Sequence, residues 1–334
     1  MTNIFGKMPN GDDVQQVTIS GGPLTVSIIT FAAAIQDMRL EGHAFPLVLG
    51  FEDLAGYLDY GAYFGANVGP VANRIGGAGF ELDGETFNLD ANENNETCLH
   101  GGAEGLGCQN WKFVSHDANS AHLRCKLPED HMGFPGNFQA DCIYTISDSG
   151  ELKITLEGRC DKPTLCNLAH HSYFNLEDGG ASDIFSHQMQ ISADTYLPIN
   201  DKTLPKGPQE NVEKTPFDFR ISREIGQHNI TYDHNYCLSP GRTNMRPVVE
   251  VISPSGKITL TIQTTEPGIQ FYTGQWIPEM KPGLDAIQYS SQSGFCLETQ
   301  GWPDAIHHAD YPISVLRPGE VSSQETTYTF LLKS

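Results

Sequence analysis

The chain has 334 residues, 39% hydrophobic and 18% charged, which is the composition of a folded globular protein rather than a disordered one. Its 20 basic and 41 acidic residues give a formal net charge of -21, which repels nucleic acid phosphates and anionic lipid surfaces. We therefore predict neither nucleic acid nor a membrane as a partner, whereas a neutral small molecule such as a sugar is compatible with this charge.

The chain reads as one cytoplasmic domain. No apolar run approaches the roughly 18 residues of a membrane span, and the start, MTNIFGKMPNGDDVQQVTI, lacks the basic and apolar blocks of a signal peptide. The eight cysteines are scattered without a CxxC pair, which favours reduced thiols over a zinc knuckle or a disulfide scaffold. No linker interrupts the sequence, so we predict a single domain over residues 1–334.

Short alternating runs separated by turn signals predict β-hairpins along the chain. The turns are Asp83-Gly84 in FELDGETFNL, Ser149-Gly150 in YTISDSGELKITLEG and Ser255-Gly256 in VISPSGKITLTIQTT. SQETTYTFLL predicts a final strand. Helical periodicity is sparse and no repeat of fixed period is present, so we predict an all-β protein with two packed antiparallel sheets and long loops.

The stretch NLAHHSYFNL, residues 167–176, places two histidines side by side in a strand-like run. Neighbouring side chains on a strand point to opposite faces. At most one of His170 and His171 can therefore face a given pocket.

Motifs of several enzyme classes are missing: there is no GxSxG elbow, no Walker loop and no GxGxxG after a strand. Six polar residues instead stand in apolar or glycine-rich settings, namely Arg74, His100, His171, Asp233, Gln270 and Glu298. Glu298, in the run GFCLETQ, lies either in a pocket or on an edge strand that faces water. His100 could be a structural residue, and Asp233 could form an Asx turn.

Taken together, these segments resemble the aldose 1-epimerases, also called galactose mutarotases. The resemblance covers nearly the whole chain and rests on ordered motifs that include YFGANVGPVANRI, CLHGG, HSYFNL, ADTYLPINDKTLPKG, TPFDFR, DHNYCL, PGIQFYTG and FCLETQGWPDAIHHADYPISVLRPGE. It implies a β-supersandwich of packed, mostly antiparallel sheets with an open sugar-binding face. It also implies that Glu298 lies in the pocket.

The resemblance further implies a reaction and a role for each residue. Interconversion of α and β anomers opens the hemiacetal, which requires one base and one acid. By the family pattern Glu298 is the base and His171 the acid, which we expect a nearby negative charge to keep protonated. His100 assists the proton transfer or donates to the ring, and neither a metal nor an organic cofactor is expected. The residues implied to bind sugar are Arg74, Asn73, Asp233 and Gln270.

Some positions depart from the family pattern, and two alternatives stay open. The chain has Gly69-Pro70 before ANR, His170 in place of the usual asparagine, and Gly107-Cys108 in place of the usual Asp-Lys pair. These changes leave open which aldose is preferred, and the oligomeric state is also open. The alternative functions are a glycoside hydrolase that uses Glu298 and Asp233, and a sugar-binding protein without catalysis.

Overall fold

The computed structural model describes residues 2–60 and 63–333, in which nearly all regular secondary structure is β-strand. In the first half of the chain the strands are β1 Asn3–Lys7, β2 Asp13–Gly21, β3 Leu24–Ile29, β4 Ile35–Leu40, β5 Ala66–Val68, β6 Arg74–Gly76, β7 Gly79–Leu82, β8 Glu85–Asn88, β9 Thr97–Leu99, β10 Lys112–His116, β11 Ser120–Leu127, β12 Phe138–Ile146 and β13 Glu151–Cys160.

The second half continues in the same way, with strands β14 Thr164–Leu165, β15 Ala169–His171, β16 Tyr173–Phe174, β17 Gln188–Ile191, β18 Thr195–Tyr196, β19 Glu210–Asn211, β20 Arg223–Glu224, β21 Asp233–Cys237, β22 Arg246–Ile252, β23 Ile258–Thr264, β24 Gly268–Tyr272, β25 Phe295–Gln300, β26 Val315–Leu316 and β27 Ser322–Leu332. One α-helix, α1, spans Ala55–Tyr60. Short 3₁₀ turns lie at Leu106–Cys108, His131–Gly133, Ile225–His228, Leu284–Ala286 and Ala305–His307.

Three large sheets contain most of these strands, and the others pair in two-stranded sheets. The first has the order β1-β2-β3-β4, the second has nine strands in the order β10-β11-β12-β13-β27-β23-β22-β17-β20, and the third has six in the order β16-β25-β24-β21-β18-β19. Every strand pair in these three sheets is antiparallel. The predicted all-β supersandwich is confirmed.

The predicted hairpins form at the predicted turns. Strands β7 and β8 pair across Asp83-Gly84, where both residues have positive φ, 51° and 85°, as a two-residue hairpin turn requires. Strands β12 and β13 pair across Ser149-Gly150, and β22 and β23 across Ser255-Gly256. The final strand, β27, lies in the middle of the nine-stranded sheet.

The main core lies between the nine-stranded and six-stranded sheets. Phe174 of β16 stacks on Tyr328 of β27 with ring centroids 5.7 Å apart, and the hydroxyls of Thr299 and Thr326 bond across the interface at 2.6 Å. Alternation along β25 turns Phe295 and the other odd-numbered residues toward this core. The even-numbered residues of β25 therefore face the opposite side of the six-stranded sheet.

No helix in the described ranges is both long and apolar enough to cross a membrane.

Candidate active site

A cavity of about 550 Å³ lies over the face of the six-stranded sheet that is turned away from the main core. This volume lies within the usual range for small-molecule sites. Six of the seven residues predicted for the site line the cavity: Asn73, Arg74, His100, His171, Asp233 and Glu298. The seventh, Gln270, lies behind Asp233.

Glu298 belongs to β25, between β24 and β16, and its residue surface is only 2% exposed. The alternative of an edge-strand glutamate facing water is wrong, because β25 is an interior strand. The atom Oε2 of Glu298 is buried and has no hydrogen-bond partner among the described residues. A buried carboxylate oxygen without a partner can accept a hydrogen bond from a ligand.

His171 ends β15, which pairs with β5 through the register His171↔Ala66. Its Nε2 atom lies 3.7 Å from Oε1 of Glu298. The imidazole is enclosed by the rings of Tyr63, at 5.9 Å between centroids, and of His100, at 5.4 Å. The carboxyl and imidazole groups therefore face the same small volume.

His170 points to the opposite side of β15, as strand alternation predicts. Its Nδ1–H donates to Oδ1 of Asn67 at 3.1 Å, and its Nε2 accepts from the Ser172 hydroxyl at 2.7 Å. Burial lowers the pKa of His170 to about 3, so both bonds belong to a neutral ring. His170 supports the strand from behind and does not line the cavity.

Burial acts on the pKa values of both members of the pair. It lowers the pKa of His171 to about 4, which disfavours the imidazolium. Burial, reinforced by the charge of Asp233 and opposed by Arg74, raises the pKa of Glu298 well above its usual value. Desolvation thus opposes the expected protonation of His171 by a nearby negative charge, and that protonation stays a prediction.

His100 and Asn73 form a reciprocal backbone pair beside His171. Both have left-handed φ, 52° and 61°, and the N–H of His100 donates to the Asn73 carbonyl at 2.9 Å. In return, the Asn73 N–H donates to Nδ1 of His100 at 3.2 Å. Burial lowers the pKa of His100 well below its usual value, so the ring is neutral and its proton lies on Nε2. His100 is thus a hydrogen-bond donor.

Arg74 and Asp233 form the polar side of the cavity. Arg74 donates from Nε and Nη2 to the Glu93 carboxylate at 2.8 and 2.9 Å, and its Nη1 lies 3.6 Å from Oδ2 of Asp233. Gln270 donates to Oδ1 of Asp233 at 2.7 Å. Asp233 begins β21, so the Asx-turn alternative is wrong. Gln270 orients Asp233 rather than contacting the cavity directly.

The sequence did not identify Glu93 or the aromatic wall. Glu93 lies in the polar run ANENNET, which has no period or apolar flank that would mark one carboxylate among its neighbours. The aromatic side chains that line the cavity are Tyr60, Tyr63, Tyr173, Tyr272 and Trp276. Trp276 lies at the rim and is 74% exposed, whereas Tyr173 is buried.

Ligand atoms of His100, His171 and Glu298 lie within 4.8 Å of one another, so we considered a metal ion at this position. The bond from the Asn73 N–H occupies Nδ1 of His100 and places the ring proton on Nε2. A nitrogen that bears a proton cannot coordinate a metal ion. The donor set therefore suits hydroxyl groups better than a cation.

Positions at which the sequence departs from the usual family pattern do not line the cavity. Gly107 and Cys108 line a neighbouring apolar groove, from which Tyr63 separates the cavity. Pro70 and His170 lie outside the cavity as well.

Comparison with known proteins agrees with this geometry. The sequence model described as Aldose 1-epimerase matches residues 15–329. The chain belongs to the aldose 1-epimerase family. It is 37% identical to the galactose mutarotase of Rattus norvegicus, with 98% of this chain and 97% of the relative covered. It is 31% identical to the aldose 1-epimerase of Escherichia coli K12, with 97% of each chain covered.

Solved structures of the epimerase family share the fold. An aldose epimerase homologue from C. elegans superposes with a TM-score of 0.89 at 27% identity and covers 96% of this chain and 100% of its own. A galactose 1-epimerase from Lactobacillus acidophilus has a TM-score of 0.85 at 23% identity and covers 100% and 99% of the two chains. As an aldose 1-epimerase, the chain is an isomerase, which sets aside the hydrolase and the purely sugar-binding alternatives.

Proposed function

We propose that this aldose 1-epimerase interconverts the α and β anomers of a free aldose, with Glu298 as base and His171 as acid. The observation that supports the proposal is the buried pair itself, with Nε2 of His171 3.7 Å from Oε1 of Glu298 at the base of the cavity. Two proton-exchanging groups on one side of a sugar-sized site meet the requirement for opening a hemiacetal.

The reaction moves two protons in each direction. Glu298 removes the proton of the C1 hydroxyl while His171 protonates the ring oxygen, so the bond between C1 and the ring oxygen breaks and an aldehyde forms. Rotation about the C1–C2 bond presents the other face of the carbonyl. Ring closure then returns the proton from Glu298 to the carbonyl oxygen, while His171 recovers its proton from the C5 hydroxyl.

Burial lowers the pKa of His171 and raises the pKa of Glu298, so burial disfavours both the imidazolium and the carboxylate that begin ring opening. A bound sugar offers a hydroxyl donor to Glu298 and a ring-oxygen acceptor to His171. These hydrogen bonds favour the carboxylate and the imidazolium, and so oppose the effect of burial on both pKa values.

The remaining polar residues hold the hydroxyl groups of the sugar. Asp233, fixed by Gln270, accepts hydrogen bonds, and Arg74, fixed by Glu93, donates them. His100 donates from Nε2 because its Nδ1 is occupied by the Asn73 N–H. We assign these five side chains to binding and positioning, with proton transfer left to Glu298 and His171.

Galactose is the first aldose to test, because similar proteins are named galactose mutarotase. We also propose that the protein works in the cytoplasm, since all eight cysteines are free thiols and a reducing compartment preserves them.

The test is polarimetry of freshly dissolved α-galactose, α-glucose, arabinose and xylose with and without the protein. We expect faster approach to anomeric equilibrium for at least one of these sugars. Methyl α-galactoside is the matched control, because its anomeric oxygen has no proton for Glu298 to remove. Failure to accelerate any free aldose, or conversion of the methyl glycoside, would contradict the proposal.

A further inference from the structure

Strand β25 contacts both nitrogens of the His171 imidazole. Glu298 lies beside Nε2, and Cys296, two residues earlier on the same strand face, places its Sγ 3.5 Å from Nδ1. Cys296 is fully buried, and His171 is 5% exposed. A sulfur at 3.5 Å is within hydrogen-bonding distance of a ring nitrogen.

The partner of one imidazole nitrogen decides how the other can act. The ring opening described above needs a proton that stays on Nδ1, since Nε2 must alternately hold and release a proton. Besides the backbone carbonyl of His171 itself, Cys296 provides the polar contact at Nδ1 among the described residues. The other neighbours of the ring are aromatic side chains.

We propose that Cys296 is a positioning residue, whose sulfur accepts the Nδ1–H of His171 and holds the ring with Nε2 toward Glu298 and the sugar. The proposal rests on the proposed function and deepens it. A thiol is a weak and neutral acceptor. It therefore orients the ring without the strong stabilisation of the imidazolium that a carboxylate at Nδ1 would give, and the ring remains able to release its proton to the sugar.

The surroundings keep this sulfur in its thiol form and in place. Burial, together with the charges of Glu298 and Asp233, raises the pKa of Cys296 well above its usual value. Register pairs of β25 place Cys296 opposite Tyr173 on one side and Tyr272 on the other. The thiol is thus enclosed between two aromatic neighbours, with His171 as its polar contact.

The kinetic test compares Cys296→Val, which replaces the sulfur by methyl groups and removes the acceptor, with Cys296→Ser, which restores an acceptor. We expect Cys296→Val to lower kcat about three- to tenfold, as the loss of a modest hydrogen bond does, with KM within about twofold of the parent. Cys296→Ser should recover part of that loss. The matched control is Cys125→Val, a buried cysteine on β11 in the nine-stranded sheet, which should leave both constants unchanged.

The second readout is the tautomer of His171 in the full chain, measured from imidazole ¹⁵N shifts after histidine labelling and assigned with His171→Asn. We expect the proton on Nδ1 in the parent and a mixture of tautomers in Cys296→Val. This measurement needs no turnover, so its failure counts against the role of Cys296 alone. A parent without mutarotation counts instead against the proposed function.

The proposal is overturned if the parent ring has its proton on Nε2, or if Cys296→Val keeps the parental tautomer and kcat. It is also overturned if the loss appears in KM rather than kcat. Should Cys296→Val fail to fold, the parent spectrum and Cys296→Ser still decide the question.

Discussion

His170 and His171 give the most direct test of the site, because they are adjacent in the chain but only His171 is proposed to act as an acid. His171→Asn removes the group that protonates the ring oxygen. Loss of a positioned general acid lowers turnover by about 10²- to 10⁴-fold, or roughly 3 to 5.5 kcal/mol of activation free energy. His171 takes no part in the main core, so we expect circular dichroism to show a folded chain.

His170→Asn should have the opposite profile. The substitution replaces a ring that bonds both Asn67 and Ser172, and a shorter side chain leaves one of these buried partners unsatisfied. An unsatisfied buried group lowers the free energy of unfolding by about 1–3 kcal/mol. Since His170 does not line the cavity, turnover should stay within about tenfold of the parent.

The assay is the initial mutarotation rate at saturating sugar, with urea unfolding to separate stability from activity. A folded but inactive His170→Asn variant, or near-parental turnover in His171→Asn, would refute the assignment of the two histidines. Equal losses of rate and stability in both variants would show that the strand acts as one structural unit.

Other predictions follow from the same geometry. Glu298→Gln should mainly lower kcat, because the base acts only in the chemical step, whereas Asp233→Ala should mainly raise KM. If kinetic assays showed the same loss of kcat at unchanged KM in both variants, this division of roles would be wrong. EDTA should leave mutarotation rates unchanged, and full sensitivity to the chelator would contradict the metal-free mechanism. Burial lowers the pKa of His187 to about 4. As the pH drops from about 6.5 to 4, this histidine gains a proton in the unfolded chain before it does in the folded chain, so the free energy of unfolding should fall. This histidine alone should lower the free energy of unfolding by about 2 kcal/mol at pH 5. Equal urea midpoints at pH 7 and pH 5 would disprove this prediction.

Local chemistry made the hairpins predictable and favoured a pocket for Glu298. Asp83-Gly84 favours its turn through local backbone conformation, which does not depend on the residues that pack against the turn. The apolar neighbours of Glu298 in GFCLETQ favoured a pocket over an edge strand, and the family resemblance decided between the two. Strand alternation likewise separated His170 from His171 before any fold was known.

Features set by distant segments could not be predicted in this way. The salt bridge between Glu93 and Arg74 depends on how a polar loop folds over the cavity. The bond from Gln270 to Asp233 depends on the register of β21 against β24, which neither strand shows by itself. The lowered pKa of His171 depends on burial by several elements, which a carboxylate close by in the site does not reveal. The assignment of residues 1–334 to one domain stays a prediction.

Side chains along β25 face the cavity and the apolar core in turn, so catalytic activity depends on the register in which this strand pairs. A slip by one residue would turn Leu297 into the cavity and Glu298 into the apolar core, where its charge would be costly. A strand slipped by one residue would therefore lack activity. During refolding, recovered turnover should report the fraction of molecules with native pairing in the six-stranded sheet, a quantity that total β-content from circular dichroism does not distinguish.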